Sequence, residues 1–276
     1  MGKLRVMRNL IIGCVMGLGL ITSSAQGLES DTLPVPLKPK AINNAFTVGE
    51  HLKYRIHYGI IDAGEAELRV HSIENKQGRS AYKVSGIGRS VGMFKWFMDV
   101  RDYYETYIDS NEIIPLEFIR DVKEGSYTNK EHSIFDPINN TVHPKKNPKD
   151  TMRLNVGVQD LLSAFYYARC LDFSNLTYGD EFPVEVYLDK ETFPMNLKYV
   201  GEETLKTSKG KFNCLIFKPM VQEGRVFREE EGMTIWVSND KNRVPIRVET
   251  ELFVGSLRMD IESYQGLKHP LTNNRK

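Results

Sequence analysis

Few residues in this chain are spaced for chemistry. Gly88-Arg89-Ser90-Val91-Gly92 fits the G-x-S-x-G pattern, in which a strained strand-to-helix turn lifts a nucleophilic serine above a parallel sheet. That turn needs βαβ alternation, which the chain lacks, so a glycine-rich strand end is the better reading. Asp99, Asp102, Glu105 and Asp109 crowd one short stretch, and paired carboxylates can do acid–base work on a sugar. The same stretch runs into a turn, where aspartate is favoured for geometry alone. A hydrolase is therefore the least favoured of the functions considered, and the chain is expected not to be an enzyme. His51, His57, His71, His132, His143 and His269 form no cluster with Cys or Asp at zinc-like intervals. No metal and no cofactor is expected.

Binding offers more. Val91 to Met98 holds Met93, Phe94, Trp96, Phe97 and Met98 beside a glycine-rich bend. Flexible Met and aromatic surface suits an apolar ligand or a membrane, with ordinary core as the competing reading. A second candidate is Asp160 to Arg169, where apolar residues fall at 161, 162, 165 and 168. That spacing predicts a helix over about 158–171, capped by Asp160, with a 161/165/168 face laid on apolar sheet. The candidate ligand-binding residues are Met93, Phe94, Trp96, Phe97, Leu161 and Phe165.

The elements that must position them are mostly strands. Leu52, Tyr54, Ile56 and Tyr58 alternate with Lys53, Arg55 and His57, which is period two. The same rhythm runs through Ala66-Val70, Tyr103-Ile108, Leu116-Val122, Phe182-Leu188 and Ile246-Leu252. The pattern also recurs at long range. Gly49-Glu50 returns as Gly179-Asp180, and Pro115, Gly125, Ser126 return as Pro245, Gly255, Ser256, all at an offset of 130 residues. A repeat that long describes architecture rather than a reaction. The expectation is a mainly β fold: a large antiparallel, open or curled, barrel-like sheet of about twelve strands in two similar halves, with one central α-helix. The halves are 46–136 and 179–265 of a single domain, 46–267. The connection 137–178 carries the helix, with an exposed loop from Pro137 to Leu154, and 268–276 is a polar tail.

The first residues read as a signal. Lys3, Arg5 and Arg8 precede an apolar run from Leu10 to Ile21, and Ser23-Ser24-Ala25 supplies small residues for cleavage. The run is well short of the ~20 residues a spanning helix needs. Residues 1–25 are thus a secretory leader, followed by an extended Pro-containing linker over 26–45. Cys14 only faintly resembles a lipidation site, since most of the apolar run follows it. The 37 basic and 36 acidic residues leave a slight acidic excess once the leader's three cations are removed. That gives no footprint for nucleic acid. Cys170 and Cys214 define no disulfide framework and are read as buried thiols. A membrane-embedded barrel is disfavoured by the interrupting helix and by the charges of Glu249, Glu251, Arg258, Asp260 and Glu262.

One resemblance emerges. Phe46-x-Val48-Gly49-Glu50-x-Leu52-x-Tyr54, then Ala63-Gly64-x-Ala66, resembles the start of domain-of-unknown-function family 3108, a family of exported bacterial proteins. Further matches are Val100-Arg101-Asp102, Tyr107-Ile108-Asp109, Asp160-Leu161-Leu162-Ser163-Ala164-Phe165 and Pro245-Ile246-Arg247 with Gly255-Ser256. The resemblance implies an exported, mostly β protein of the periplasm or envelope, and it brings no catalytic residues. The resemblance assigns no activity, and two functions are expected from the curled sheet itself. One is a binding or carrier module that holds an apolar or lipid-like ligand in a concave sheet. The other is a structural or protein-interaction component of the envelope.

Overall fold

Alternation of apolar and polar side chains folds the chain into long antiparallel hairpins. The computed structural model describes residues 41–223, 226–229, 232–252 and 255–274. The expected leader and the linker up to residue 40 lie outside the described residues. The first six strands form one meander: β1 (His51–Tyr58), β2 (Ile61–Lys76), β3 (Arg79–Ser90), β4 (Val100–Asp109), β5 (Pro115–Glu124) and β6 (Tyr127–Asp136). A single helical turn, α1 (Phe94–Phe97), sits between β3 and β4. The connection holds β7 (Thr141–Pro144), β8 (Met152–Arg153), β9 (Gln159–Asp160) and the helix α2 (Leu161–Arg169). The second meander is β10 (Glu181–Leu188), β11 (Glu191–Thr207), β12 (Gly210–Glu223), β14 (Met233–Ser238), β15 (Pro245–Glu251) and β16 (Ser256–Gln265). Two short pieces, β13 (Val226–Glu229) and β17 (Asn273–Asn274), pair with β12.

The strands join into one curled sheet. Hydrogen-bonded neighbours run β8-β7-β6-β5-β4-β3-β2-β1-β16-β15-β14-β12-β11-β10-β9. This corrects the expected twelve strands to fifteen in continuous order. The added strands β7, β8 and β9 are two to four residues long, too short to show an alternation. The Lys- and Pro-rich stretch read as a loop from Pro137 to Leu154 therefore contains strand. Two helices, not one, are present among the described residues.

The two meanders are built on the same turns. Gly49 and Gly179 have φ of 92° and 94°, where a side chain is strained. Each donates its N–H across to the partner strand, Gly49 to Val70 O and Gly179 to Tyr199 O, both at 2.9 Å. The following acid in each case accepts back, Glu50 O from Val70 N and Asp180 O from Tyr199 N. Ile113 and Arg243 likewise share a left-handed φ, 53° and 49°, two residues before the prolines that open β5 and β15. β1, the first strand of one meander, pairs along its length with β16, the last of the other. The mirror-related joint, β6 to β10, does not form a ladder. β9 lies parallel along β10 instead, matching Gln159 to Val186 and Asp160 to Tyr187. The sheet stays open at this seam.

The helix α2 lies within the curl. It touches β3, β4, β9 and β10. Asp160 caps it: its Oδ1 accepts from the amides of Leu162 and Ser163, and Ser163 Oγ accepts from the Asp160 amide, all at 2.8 Å. Thr106 Oγ1 on β4 donates to Asp160 Oδ2 at 2.5 Å and ties the cap to the sheet. The 161/165/168 face does meet the apolar core, with Leu161 fully buried and Phe165 and Ala168 packed against it, but burial is not confined to that face. Leu161, Leu162, Ser163, Ala164, Tyr166, Tyr167 and Arg169 are all buried, while Phe165 and Ala168 are the partly exposed pair. A helix enclosed on several sides has no solvent face to advertise. Gly86 on β3 allows the approach, since a Cβ there would meet Leu162 at 3.5 Å and Leu68 at 3.2 Å.

The described parts of the expected linker and tail are more integrated than the sequence suggests. Ala41 and Ala45 of the expected linker are buried in the main core. In the expected polar tail, Asn242 binds the carbonyl of His269 and accepts from its amide, both at 2.9 Å, and β17 adds to β12.

Candidate functional site: an apolar cleft, an exposed rim and a polar seam

The six candidate residues fall in different places. Met93, Trp96 and Phe97 are not core: they are 66%, 89% and 85% exposed. Phe94 turns inward toward Tyr58, with ring centroids 6.4 Å apart. The α1 turn packs against β2, and Ile60 and Ile61 at the β1–β2 turn are also exposed. Together they give one rim of the sheet an apolar character. Leu161 is fully buried. Phe165 alone of the six lines a cleft, which has a volume of about 80 Å³ between α2 and the second meander. Ala164, Ala168, Phe173, Met195, Leu197 and Phe217 supply most of its apolar wall.

Arg169, at the end of α2 and itself part of the cleft wall, forms the most buried ion pair among the described residues. Its Nη1 and Nη2 donate to the two carboxylate oxygens of Glu50 at 2.6 and 2.7 Å, and both side chains are almost wholly shielded. Nε donates to the Asn242 carbonyl at 3.1 Å. Burial alone would lower the pKa of Arg169, and the adjacent Glu50 carboxylate more than offsets it, so the group is held cationic. Glu50 is the acid of the repeated Gly-Glu turn, so the repeat motif anchors the helix that walls the cleft. Cys170 and Cys214 stand as free buried thiols, each pushed up to about 12 by burial.

The groups with apparent catalytic spacing are engaged otherwise. Ser90 Oγ accepts from the Val100 amide at 3.0 Å and so links β3 to β4. Asp99 is held by Arg101 and Lys123. Glu105 accepts from the Tyr103 and Tyr107 hydroxyls, and Asp109 pairs with Arg79 at 2.8 Å. Asp102 points the other way, to the interior, where burial pushes it up to about 7 against the pull of the Lys123 amide and Arg120. The four carboxylates do not converge. Among the described residues no group of three or more metal-ligating side chains occurs.

The sequence reading missed the seam. A cavity of about 560 Å³ lies there, lined by Arg120 and Asn129 to Ser133 from the first meander and by Tyr187, Asp189 and Lys190 from the second. Asp189 bridges the gap, accepting from Arg120 Nη1 at 2.9 Å and from Asn129 Nδ2 at 3.0 Å. One signal was available: Arg120 shares the inward parity of Phe118 and Val122 on β5.

Solved structures provide one fold-level match and two weaker likenesses. A β-barrel-like protein of the unknown-function family DUF1849 from Brucella abortus superposes with a TM-score of 0.50 at 9% identity, covering 79% of this chain and 97% of that one. A candidate exported protein with a YmcC-like fold from Bacteroides fragilis gives 0.35 at 9% identity, covering 82% and 99%. A candidate lipoprotein from Parabacteroides distasonis gives 0.34 at 13%, again covering 82% and 99%. No curated protein matches the chain. No helix among the described residues is long and apolar enough to cross a membrane. The model of the protein family of unknown function DUF3108 matches residues 53–262, which spans both meanders and the helix between them, and the chain belongs to that family.

Proposed function

We propose that the chain is an exported, non-catalytic binding or carrier module of the bacterial envelope, taking an apolar or lipid-like ligand against the central helix. The observation that supports it is the apolar cleft beside α2, with Phe165 and Ala168 partly exposed within an otherwise buried helix. At about 80 Å³ the cleft is below the ~300–1,000 Å³ of sites that enclose a drug-sized ligand. It accommodates the end of an alkyl chain, and a longer ligand requires Phe165 to swing outward. A fluorescent fatty acid, cis-parinaric acid, tests this by titration. Binding should saturate, and Ala168→Phe, which fills the cleft, should weaken it at least about tenfold, or ~1.4 kcal/mol. Equal binding by both proteins, or none by either, contradicts the proposal.

A second reading has its own support. The exposed Ile60, Met93, Trp96 and Phe97 favour an interaction component whose rim docks onto another envelope constituent. A Trp96→Ser, Phe97→Ser double variant should then keep its thermal stability and its fatty-acid binding while losing that association.

A further inference from the structure

The exposed rim has a chemistry of its own. Two turns build it at one end of the sheet: Gly59 and Ile60 between β1 and β2, and 91–99 between β3 and β4. The Val91 amide donates to the Ala63 carbonyl at 3.0 Å, which seats α1 beside the start of β2. Ile60 is wholly exposed, and Trp96 and Phe97 are nearly so. Side chains that bare stand at the apex of a turn, not along a groove, so the rim is a convex apolar tip. Phe94 packs inward against Met98 and Val100 and fixes the turn from below.

The polar groups of the tip are of one kind. From 92 to 98 the side chains carry the Lys95 ammonium and the Trp96 indole N–H, both donors, and no oxygen acceptor. Neither side-chain donor has a partner among the described residues. Behind the tip lies a row of cations. Arg89 on β3 stands directly opposite Arg101 on β4, and Arg101 directly opposite Lys123 on β5. Like charges facing each other across a ladder disfavour strand pairing, so folding alone does not account for the row. Arg89 pairs with Glu65, and Arg101 and Lys123 share Asp99, yet each cation is more exposed than its carboxylate. The outermost charge along the row is therefore positive, with Asp62, paired to His57, as an exposed acid beside the tip.

A partner for this end of the sheet must yield to a convex apolar tip, supply acceptors and carry negative charge. A bilayer surface does all three. Tryptophan rings settle at headgroup level, and an amphipathic segment sinks ~5–10 Å into the boundary of headgroups and acyl chains. Phosphate and ester oxygens accept from Trp96 Nε1 and Lys95, and anionic lipids attract basic residues held near them. We propose that this end of the sheet docks peripherally onto an anionic phospholipid bilayer. Ile60, Met93, Trp96 and Phe97 enter the acyl boundary, and Lys95, Arg101 and Lys123 face the headgroup phosphates. The inference rests on the reading of the rim as a docking surface and names its partner.

The test is co-sedimentation of the exported chain with vesicles of phosphatidylethanolamine and phosphatidylglycerol, and with vesicles of phosphatidylcholine alone. The chain should partition saturably onto the anionic vesicles. Trp96→Ser, Phe97→Ser should weaken that partition at least about tenfold, through the apolar area it removes. Arg101→Gln, Lys123→Gln should weaken it at least about fivefold on anionic vesicles and leave the neutral ones unchanged. All four side chains are exposed, so both variants should keep the parent's Tm. Three results overturn the proposal: no partition of the parent onto anionic vesicles, equal partition of the parent and the Trp96→Ser, Phe97→Ser variant, or equal partition of the parent and the Arg101→Gln, Lys123→Gln variant. Isolated envelope fragments, which carry protein as well as lipid, separate this failure from that of the rim reading. Rim-dependent retention on fragments without vesicle binding removes the lipid partner and keeps the rim, and retention on neither removes both. Fatty-acid binding at the apolar cleft is independent of all of these.

Discussion

Glu50 and Arg169 show how much of this fold rests on one residue pair. Arg169 is cationic, buried and bonded along most of its guanidinium edge, so its partner cannot be removed cheaply. Glu50→Ala leaves that charge uncompensated and should cost about 3–5 kcal/mol in urea denaturation. Asp102 makes a prediction of the opposite kind. Its folded pKa of about 7 lies above the ordinary aspartate value, so between those pH values the folded state binds more protons than the unfolded state. Its contribution to stability is therefore most favourable below the unfolded pKa and declines as pH rises toward 7. Asp102→Asn should raise the Tm relative to the parent at pH 8, and the gain should shrink toward pH 4. Thermal melts across that range check both signs. The sequence displays Glu50 as a repeated motif but cannot display its partner, which lies 119 residues away. Asp102 was legible as one of four carboxylates and misleading as such, because strand parity sends it inward while Asp99 and Glu105 face outward.

At the scale of elements, the duplicated turns are the clearest test. Gly49 and Gly179 occupy equivalent left-handed positions with the same cross-strand hydrogen bonds. Gly49→Ala and Gly179→Ala should each lose roughly 1–2 kcal/mol, since the cost comes from the backbone conformation and not from contacts. Neither added Cβ would meet another atom within 4 Å, so strain alone is being measured. A near-zero effect at either site would separate the two turns. The long strands were legible because period-two alternation survives wherever one face is wet. Strands of two to four residues carry no period, which is why β7, β8 and β9 were read as loop. The place of α2 was legible from its cap and spacing, but it runs over Leu161–Arg169, shorter than the expected 158–171, because Gln159 and Asp160 are drawn into β9. The burial of the helix on nearly every side was not, because Ser163 and Arg169 look polar until Asp160, Glu50 and Asn242 satisfy them from within, and the rings of Tyr166 and Tyr167 suit a wet surface as well as a core.

Across the whole molecule, two related meanders are zipped at one joint and held apart at the other by the segment that connects them. That segment supplies β9, which takes the free edge of β10, and α2, which fills the curl. The arrangement leaves an apolar cleft on one side of α2 and a polar cavity at the seam. Of the Met-aromatic stretch, Met93, Trp96 and Phe97 lie on an outer rim, and none of its residues lines the cleft with Phe165. Nothing local in a sequence reveals which of two inward-facing surfaces remains uncovered, because that depends on strand order. The proposed function requires an apolar ligand beside α2. Native mass spectrometry of protein purified from a bacterial envelope tests it most directly. The parent chain should carry an added lipid-sized mass that is absent from Ala168→Phe. A bare chain mass for both proteins, under conditions that preserve their folded charge states, would contradict it.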